Sequence, residues 1–351
     1  MGFGNGFSRP GNASSSSSVA VSLASTALSV GYDKILCVRK SGNDTNANGT
    51  VNKPFQTIQA ALNYANINYS DFSESVIVEL GPGKYTENIT ISRYNTYIIS
   101  ELQRPEQRAV WIIGTITVNC SSASDKYNKI VGLQGLFITN NTANPTVKIT
   151  GTAQHVTYIK DCYLASSNSN TAANCLLLDS TLAFANSKIV LENNTFLNQV
   201  AGPDVIKISG GDVNMDSNRV MTSTVNGAGN GISQSGDSTV LCDRLQVDIS
   251  TNGKCLSVDS TRVTSPDAPV CYISNSSLAV RGASSAETIY TNRGLLAWNI
   301  LLLGKTTAAI NGSNTAGSYV MYNNLVSMLP GVVPTLNNFA SAALKIKLSS
   351  I

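Results

Sequence analysis

Tyr158-Ile-Lys-Asp-Cys-Tyr-Leu164 and Val190-Leu-Glu-Asn-Asn-Thr-Phe196 share one pattern: apolar residues, a polar step rich in Asn or Asp, then a closing apolar residue. It returns as Asn214-Met-Asp-Ser-Asn-Arg-Val220, Thr239-Val-Leu-Cys-Asp-Arg-Leu245 and Tyr272-Ile-Ser-Asn-Ser-Ser-Leu278. Self-similarity at a period of roughly 20–50 residues marks a solenoid or another repeat array. The units are short and strand-like, so the array is expected to be a β-helix. A second series runs out of phase, with Ile149, Leu178, Ile208, Val258 and Ile310 at its centres. Its two longest gaps are each about two coils, and the missing members fit near Ile232-Ser-Gln-Ser-Gly236 and Ile289. Each coil therefore carries at least two short strands. Gly, Asn and Asp tolerate the left-handed backbone of tight corners, and stacked Asn side chains can hydrogen-bond from coil to coil.

A solenoid grows without splitting into domains, because each repeat contacts only its neighbours. The 351 residues are accordingly read as one all-β unit: a β-helix over 33–326, preceded by a flexible Gly/Ser-rich arm at 1–32 and followed at 327–351 by a C-terminal cap or oligomer contact. Charged residues make up only 13% of the chain, against roughly 25% in average proteins, and Ser, Thr, Asn and Gly fill the surface instead. A net charge of +3 gives no argument for nucleic acid or membrane lipid. No apolar run approaches the roughly 18 residues of a membrane span. The seven cysteines are odd in number and lack CxxC spacing, so they read as small apolar filler in a stacked core, with no metal or cofactor expected. Free buried thiols suit a chain that folds in reducing cytosol. Sequons at Asn88, Asn119, Asn140 and Asn275 fall in a chain rich in Asn, Ser and Thr, several of them inside predicted strands, and do not argue secretion.

The arm contains Gly2-Phe-Gly-Asn-Gly-Phe-Ser8 and an unbroken serine run from Ser14 to Ser18. Such a segment cannot bury enough surface to fold alone, and it is read as ordering on a partner or as a simple tail. Its apolar stretch, Val19 to Val30, is interrupted by four hydroxyl residues and makes a poor signal-peptide core. The fold should begin with a strand from Lys34. Pro54 then opens a helix whose apolar face is Phe55, Ile58, Leu62 and Ala65. A β-helix exposes its core at each end, and this helix is placed to cover one of them.

Ser41-Gly-Asn-Asp-Thr-Asn-Ala-Asn-Gly-Thr50, Lys53-Pro-Phe-Gln-Thr-Ile-Gln-Ala-Ala-Leu62 and Leu80-Gly-Pro-Gly-Lys-Tyr-Thr-Glu-Asn-Ile-Thr-Ile91 together resemble the opening of pectin-lyase-like right-handed parallel β-helix proteins. The resemblance is specific over residues 34–92 and implies that fold. Lyases, esterases, phage tailspikes and viral capsid-associated proteins share such an opening. Gly83-Lys-Tyr-Thr-Glu87 is similar to the GxYxE segment of pectin methylesterases, where it is structural. The catalytic segments of those esterases, and those of polygalacturonases, have no counterpart in this sequence, and its one histidine, His155, has no evident partner.

A calcium-dependent polysaccharide lyase would need clustered carboxylates and an Arg or Lys base. Arg219 and Arg244 are read as equivalent positions on successive coils, with Asp216 and Asp243 beside them. The bland alternative is an exposed ion-pair ladder. The glycine-rich Asn226–Gly231 stretch lacks a strand–GxGxxG–helix setting, and the tyrosines are scattered without a basic patch. Leu295–Leu303 is more apolar than one coil face requires and is read as a cap or an oligomer surface. The expectation is a non-enzymatic structural protein of a virus particle: a minor capsid, cement or spike component, assembled in host cytoplasm. Its partners would be other capsid or spike subunits met through residues 1–32, or copies of itself in a homotrimer. The alternative is a carbohydrate-active, secreted protein that binds or cleaves an acidic polysaccharide on the Arg219/Arg244/Asp216/Asp243 face. A spike that binds a glycan without cutting it joins the two.

Overall fold

The computed structural model describes residues 34–302 apart from connecting segments at 70–73, 103–107, 121–128, 151–154, 168–172, 180–187, 200–201, 223–228, 251, 262–269, 282–287 and 292–294, and beyond 302 the strand backbones alone. The arm expected at 1–32 lies outside the described residues. Three parallel sheets run along one axis as a right-handed β-helix. The first sheet has 12 strands, from Lys34–Val38 to Leu344–Lys347. The second has 10, from Ile89–Ile91 to Thr335–Asn337, and the third has 10, from Gly83–Thr86 to Leu325–Met328. The ladders thus run on past residue 326.

A typical coil passes through Val156–Lys160 in the first sheet, Tyr163–Ser166 in the third and Leu176–Leu178 in the second. The repeated motif is therefore not one strand but two, joined by a two-residue corner at Asp161 and Cys162. Along the axis the first corner position is filled by Gly135, Asp161, Asn193, Ser217, Arg244, Asn275 and Asn299, with φ of 69°, 50°, 53°, 57°, 50°, 49° and 53°. Each of these residues is left-handed, which is what turns the chain between sheets within two residues. Coil-to-coil hydrogen bonds continue through the corner: Asp161 N–H donates to the Glu192 carbonyl at 3.1 Å, and Asn193 N–H to that of Asp216 at 2.9 Å.

The second corner position points inward and is buried: Leu136, Cys162, Asn194, Asn218, Leu245, Ser276 and Ile300. The expected Asn ladder is found here, two residues long. Asn194 Nδ2 donates to Asn218 Oδ1 at 3.0 Å and to the Ile159 carbonyl at 2.8 Å. Asn194 Oδ1 accepts the Cys162 N–H at 2.9 Å, and Asn218 Oδ1 accepts the Asn194 N–H at 3.0 Å. Each amide thus answers backbone groups that the turn withdraws from sheet pairing. Inward strand residues such as Ile159, Leu191, Met215, Cys242 and Ile273 stack into a continuous apolar core. Six coils of Ile, Leu and Val are interrupted at Gln234, which stands in register between Ile208 and Val258 and donates to the Ser238 carbonyl at 2.8 Å.

Two registers differ from the sequence reading. Leu241, not Thr239, stands opposite Asn214, and Ile310 stands opposite Ile289 in the column of Leu256, not that of Val258. Both slips are of two residues. A two-residue slip keeps every side chain on its own face, so polarity alternation cannot detect it.

The one helix among the described residues, α1 (Ile58–Asn68), buries Ile58, Ala61, Leu62 and Ala65 against the first coil. It begins later than Pro54, because Phe55 still pairs as an extended residue: its N–H donates to the Cys37 carbonyl at 2.9 Å. Thr57 is the N-cap and accepts from Ala60 N–H at 3.3 Å. Asp44 Oδ1 accepts the N–H groups of Gln56 and Thr57 at 2.7 and 3.1 Å. Glu87, on the strand side, accepts those of Ile58 and Gln59, each at 3.0 Å. Glu87 and the Thr57 hydroxyl therefore satisfy the orphan donors of the first helical turn, and Asp44 holds the chain that enters it. The motif residues that carry the family resemblance are thus its fastenings. Gly42 packs where a Cβ would lie 2.3 Å from the Phe55 carbonyl oxygen. Buried Tyr85 donates to the Gly81 carbonyl at 2.8 Å.

All seven cysteines are buried and unpaired with one another. Burial pushes the thiols of Cys120, Cys162, Cys175 and Cys271 up to about 12. Leu295, Ala297, Ile300 and Leu302 point into the core, while Leu296 and Leu301 are half-buried. Trp298 is turned outward and is 38% exposed.

Two outcomes follow from these contacts. Glu87→Ala should lower stability by about 1–2 kcal/mol, read as a denaturant midpoint, since it strips two helix N–H groups of their acceptor; an unchanged midpoint would contradict the capping role. The buried thiols keep their protons in the folded state above the ordinary thiol range, whereas the unfolded chain releases them. Their contribution is complete below about pH 8.5 and is lost as pH rises toward 12, by at most about 1.4 kcal/mol per thiol and pH unit. Urea midpoints should fall between neutral pH and pH about 10.5, and native thiols should resist a thiol reagent that modifies all of them in denaturant.

Candidate functional site

The corner between the first and third sheets brings the sequence-nominated charges together. Asp216 and Asp243 are register partners in the first sheet, one coil apart. Arg244 occupies the left-handed corner position and reaches back along the axis to the previous coil. Its Nε donates to Asp216 Oδ1 and to Ser217 Oγ, each at 2.9 Å, and its Nη2 donates to Asp216 Oδ1 at 2.6 Å. Asp243 Oδ2 is 3.9 Å away. The Asp216 hydrogen bond and charge hold the guanidinium pKa above even its usual range. A base must release its proton to act, and this arrangement opposes release.

The same logic runs up the corner. Lys160 Nζ donates to Glu192 Oε1 at 2.9 Å, Tyr158 also donates to Glu192, and Asn193 Nδ2 donates to Asp161 Oδ1 at 2.7 Å. Asn275 Nδ2 donates to Asp243 Oδ1 at 2.8 Å. Among the described residues no three His, Cys, Asp or Glu side chains converge as a metal site. His155 is buried just before the first-sheet strand of its coil, with its ring 6.3 Å from that of Tyr94.

Arg219 is not the counterpart of Arg244. Ser217 holds Arg244's position on the preceding coil, while Arg219 pairs in register with Gln246 in the third sheet. It projects outward in a column that reads Lys84, Trp111, Phe137, Tyr163, Thr195, Arg219 along the axis. Each of the three aromatic rings contacts the next along the axis. Trp111 meets Phe137 edge-on at 5.9 Å, and Phe137 lies nearly parallel to Tyr163 at 4.8 Å. Lys84 Nζ sits 4.9 Å from the Trp111 ring centre, and the Arg108 guanidinium 4.6 Å from that of Phe137. Burial raises the Tyr163 phenol, and the nearby charges of Arg108 and Arg219 oppose that rise. The sequence reading missed this column. Its signal was an aromatic residue repeated at the constant interval of Trp111, Phe137 and Tyr163, the first two of which precede the earliest copy of the repeated motif.

No family model matches the chain, and no curated protein does. Among solved structures it is similar to the deglycosylated pectin methylesterase from Aspergillus niger, at 16% identity and a TM-score of 0.49 over 90% of this chain and 93% of that one. It is also similar to the pectate lyase Pel9A, at 11% identity and 0.43 over 90% and 82%. A Geobacillus virus E2 protein, ORF18, matches at 12% identity and 0.44 over 93% of this chain and 64% of that one. Likeness at these identities is one of fold.

Arg244→Asn places the residue type that best tolerates the left-handed corner where an arginine now stands, at the cost of an exposed ion pair. Stability should stay within about 1 kcal/mol of the parent, with the remaining salt dependence reduced. A loss well beyond that would show that the ion pair holds the corner.

Proposed function

We propose that the chain is a non-enzymatic structural component of a virus particle, built as a stiff rod from stacked coils: a minor capsid, cement or spike protein. The observation that carries this reading is the pairing of Arg244 with Asp216 and Ser217 across adjacent coils. The face with the most promising acid–base residues spends them on coil-to-coil cohesion. The weakly charged, amide- and hydroxyl-rich composition and the buried thiols support assembly in a reducing compartment. The Gly/Ser-rich segment at 1–32 supplies a tether to neighbouring subunits, and copies of the chain would associate as a homotrimer. The resemblance of the opening motifs supports a place in a particle, and the ion-paired Arg244 supports a role without turnover.

Light scattering or mass photometry on the full chain and on a chain beginning at Lys34 tests this. A defined oligomer that needs residues 1–32 is the expected result. Monomers in both cases, or release of unsaturated products from polygalacturonate with added Ca²⁺, would overturn it.

A further inference from the structure

The outward side of the first sheet carries a column unlike those of the other sheets. From the capped end it reads Ile35, Ile77, Tyr97, Gly132, Tyr158 and Val190, one residue per coil. After Asn214 it resumes as Leu241, Tyr272, Leu296 and Val320, and it ends at Lys345. Ile35 is 50% exposed, and Tyr97, Leu241, Tyr272 and Leu296 are half-buried. The outward column of the second sheet is polar by comparison: Thr117, Lys148, Leu177, Lys207, Ser233 and Ser257. That of the third turns polar at Thr195.

The apolar stripe is also flat. A Cβ at Gly132 would lie 2.4 Å from Tyr97 Cδ1, so the Tyr97 ring lies down over the glycine instead of standing off the sheet. The Tyr158 hydroxyl reaches Glu192 on the next coil, which lays that ring along the axis as well, and Val190 is buried beside it. Glycine inside a strand forfeits packing and marks a place of close approach. The face built on the stripe is about 48 Å long, ten strand spacings, and about 17 Å wide, one five-residue strand. That is about 800 Å² per copy, the size of a standard protein interface.

A partner for so long and regular a face must offer apolar groups at the same period over the same length, and a second copy of the chain does so. Charge fixes the direction. Lys188 lies on one margin of the stripe and Glu192 on the other, on a single coil. Rotation about an axis parallel to the rods brings the Lys188 margin of one copy to the Glu192 margin of the next. Antiparallel rods overlapped along the stripe centre on this coil, and set Lys188 against Lys188 and Glu192 against Glu192. Parallel rods also bring Asn214 to its own equivalent, where two amides can each donate and accept. Antiparallel rods set it against Tyr158, whose hydroxyl is already given to Glu192. A single amide in an apolar seam fixes register in the same way in coiled coils.

We infer that copies of this chain pack through the outward face of the first sheet, rods parallel and coils in register about a shared axis. The inference rests on the reading above that the chain assembles with itself, and adds the face, the direction and the register.

Analytical ultracentrifugation of the full chain over a concentration series tests it. Leu241→Asp should weaken association about tenfold or more, because it buries a lone carboxylate in the seam. Leu177→Asp, the same change at a half-buried outward position of the second sheet, should leave association unchanged. A short bis-maleimide should join Asn214→Cys chains to one another and should not join Ser233→Cys chains, while the seven native thiols, all buried, stay silent. An oligomer that ignores Leu241→Asp, responds equally to Leu177→Asp, or leaves Asn214→Cys unlinked overturns the inference while the structural role stands. Cleavage of polygalacturonate overturns the structural role alone. A parent chain that stays monomeric overturns both. Melting curves verify that the variants are folded; should Leu241→Asp be unstable, the milder Asn214→Cys linkage decides the question.

Discussion

Everything in this molecule depends on a corner two residues long. To pass from the first sheet to the third, each coil must place one residue in the left-handed region and turn the next into the core. Side chains with a Cβ resist the first demand, and an amide withdrawn from sheet pairing resents the second. Asn meets both, which is why it recurs at Asn193, Asn194, Asn218 and Asn275. Where the backbone donors find other acceptors, Leu245 and Ile300 fill the inward position as ordinary core.

Once the corner fixes the register, chemistry is organised in columns. A side chain meets its equivalent one coil away, at about 4.8 Å, more closely than it meets most residues of its own coil. Like charges stacked this way would repel, and the corner carries Glu192, Asp216 and Asp243 in succession. Lys160, Arg244 and the neighbouring amides relieve that repulsion. Aromatic residues gain from the same geometry, as Trp111, Phe137 and Tyr163 illustrate. A rod of this kind sorts its surface into stripes, and a function needing several unlike residues must be written across stripes or where one ends.

The fold was legible because the period and the alternation both survive in the sequence. The coils carrying Ile232–Gly236 and Ile289 were located from a doubled interval alone, although Gln234 breaks the apolar column there. What stayed hidden was register to within two residues, since alternation is blind to such a shift. That blindness paired Arg219, which opens a strand of the third sheet, with Arg244, which stands at the corner two residues before Gln246, the true partner of Arg219. The third strand of each coil was hidden inside the motif itself, because a left-handed corner residue leaves no break in polarity. Asp44 and Glu87 could be matched to a known opening, but the N–H groups they serve at and before the helix start lie 12 to 29 residues away along the chain and are visible only in three dimensions.

The fastening of α1 by Asp44 and Glu87 gives the rod a polarity. One end of the core is shut by a helix that cannot accept another strand, while the ladders beyond it repeat a single addition rule. Length is therefore a quantised property of such a chain. Inserting or deleting one whole coil changes the rod by one strand spacing, about 4.8 Å, and presents each neighbour with the same edge as before. A partial coil would rotate every downstream stripe out of alignment. Evolution of this scaffold can thus tune reach in uniform increments while the capped end stays constant.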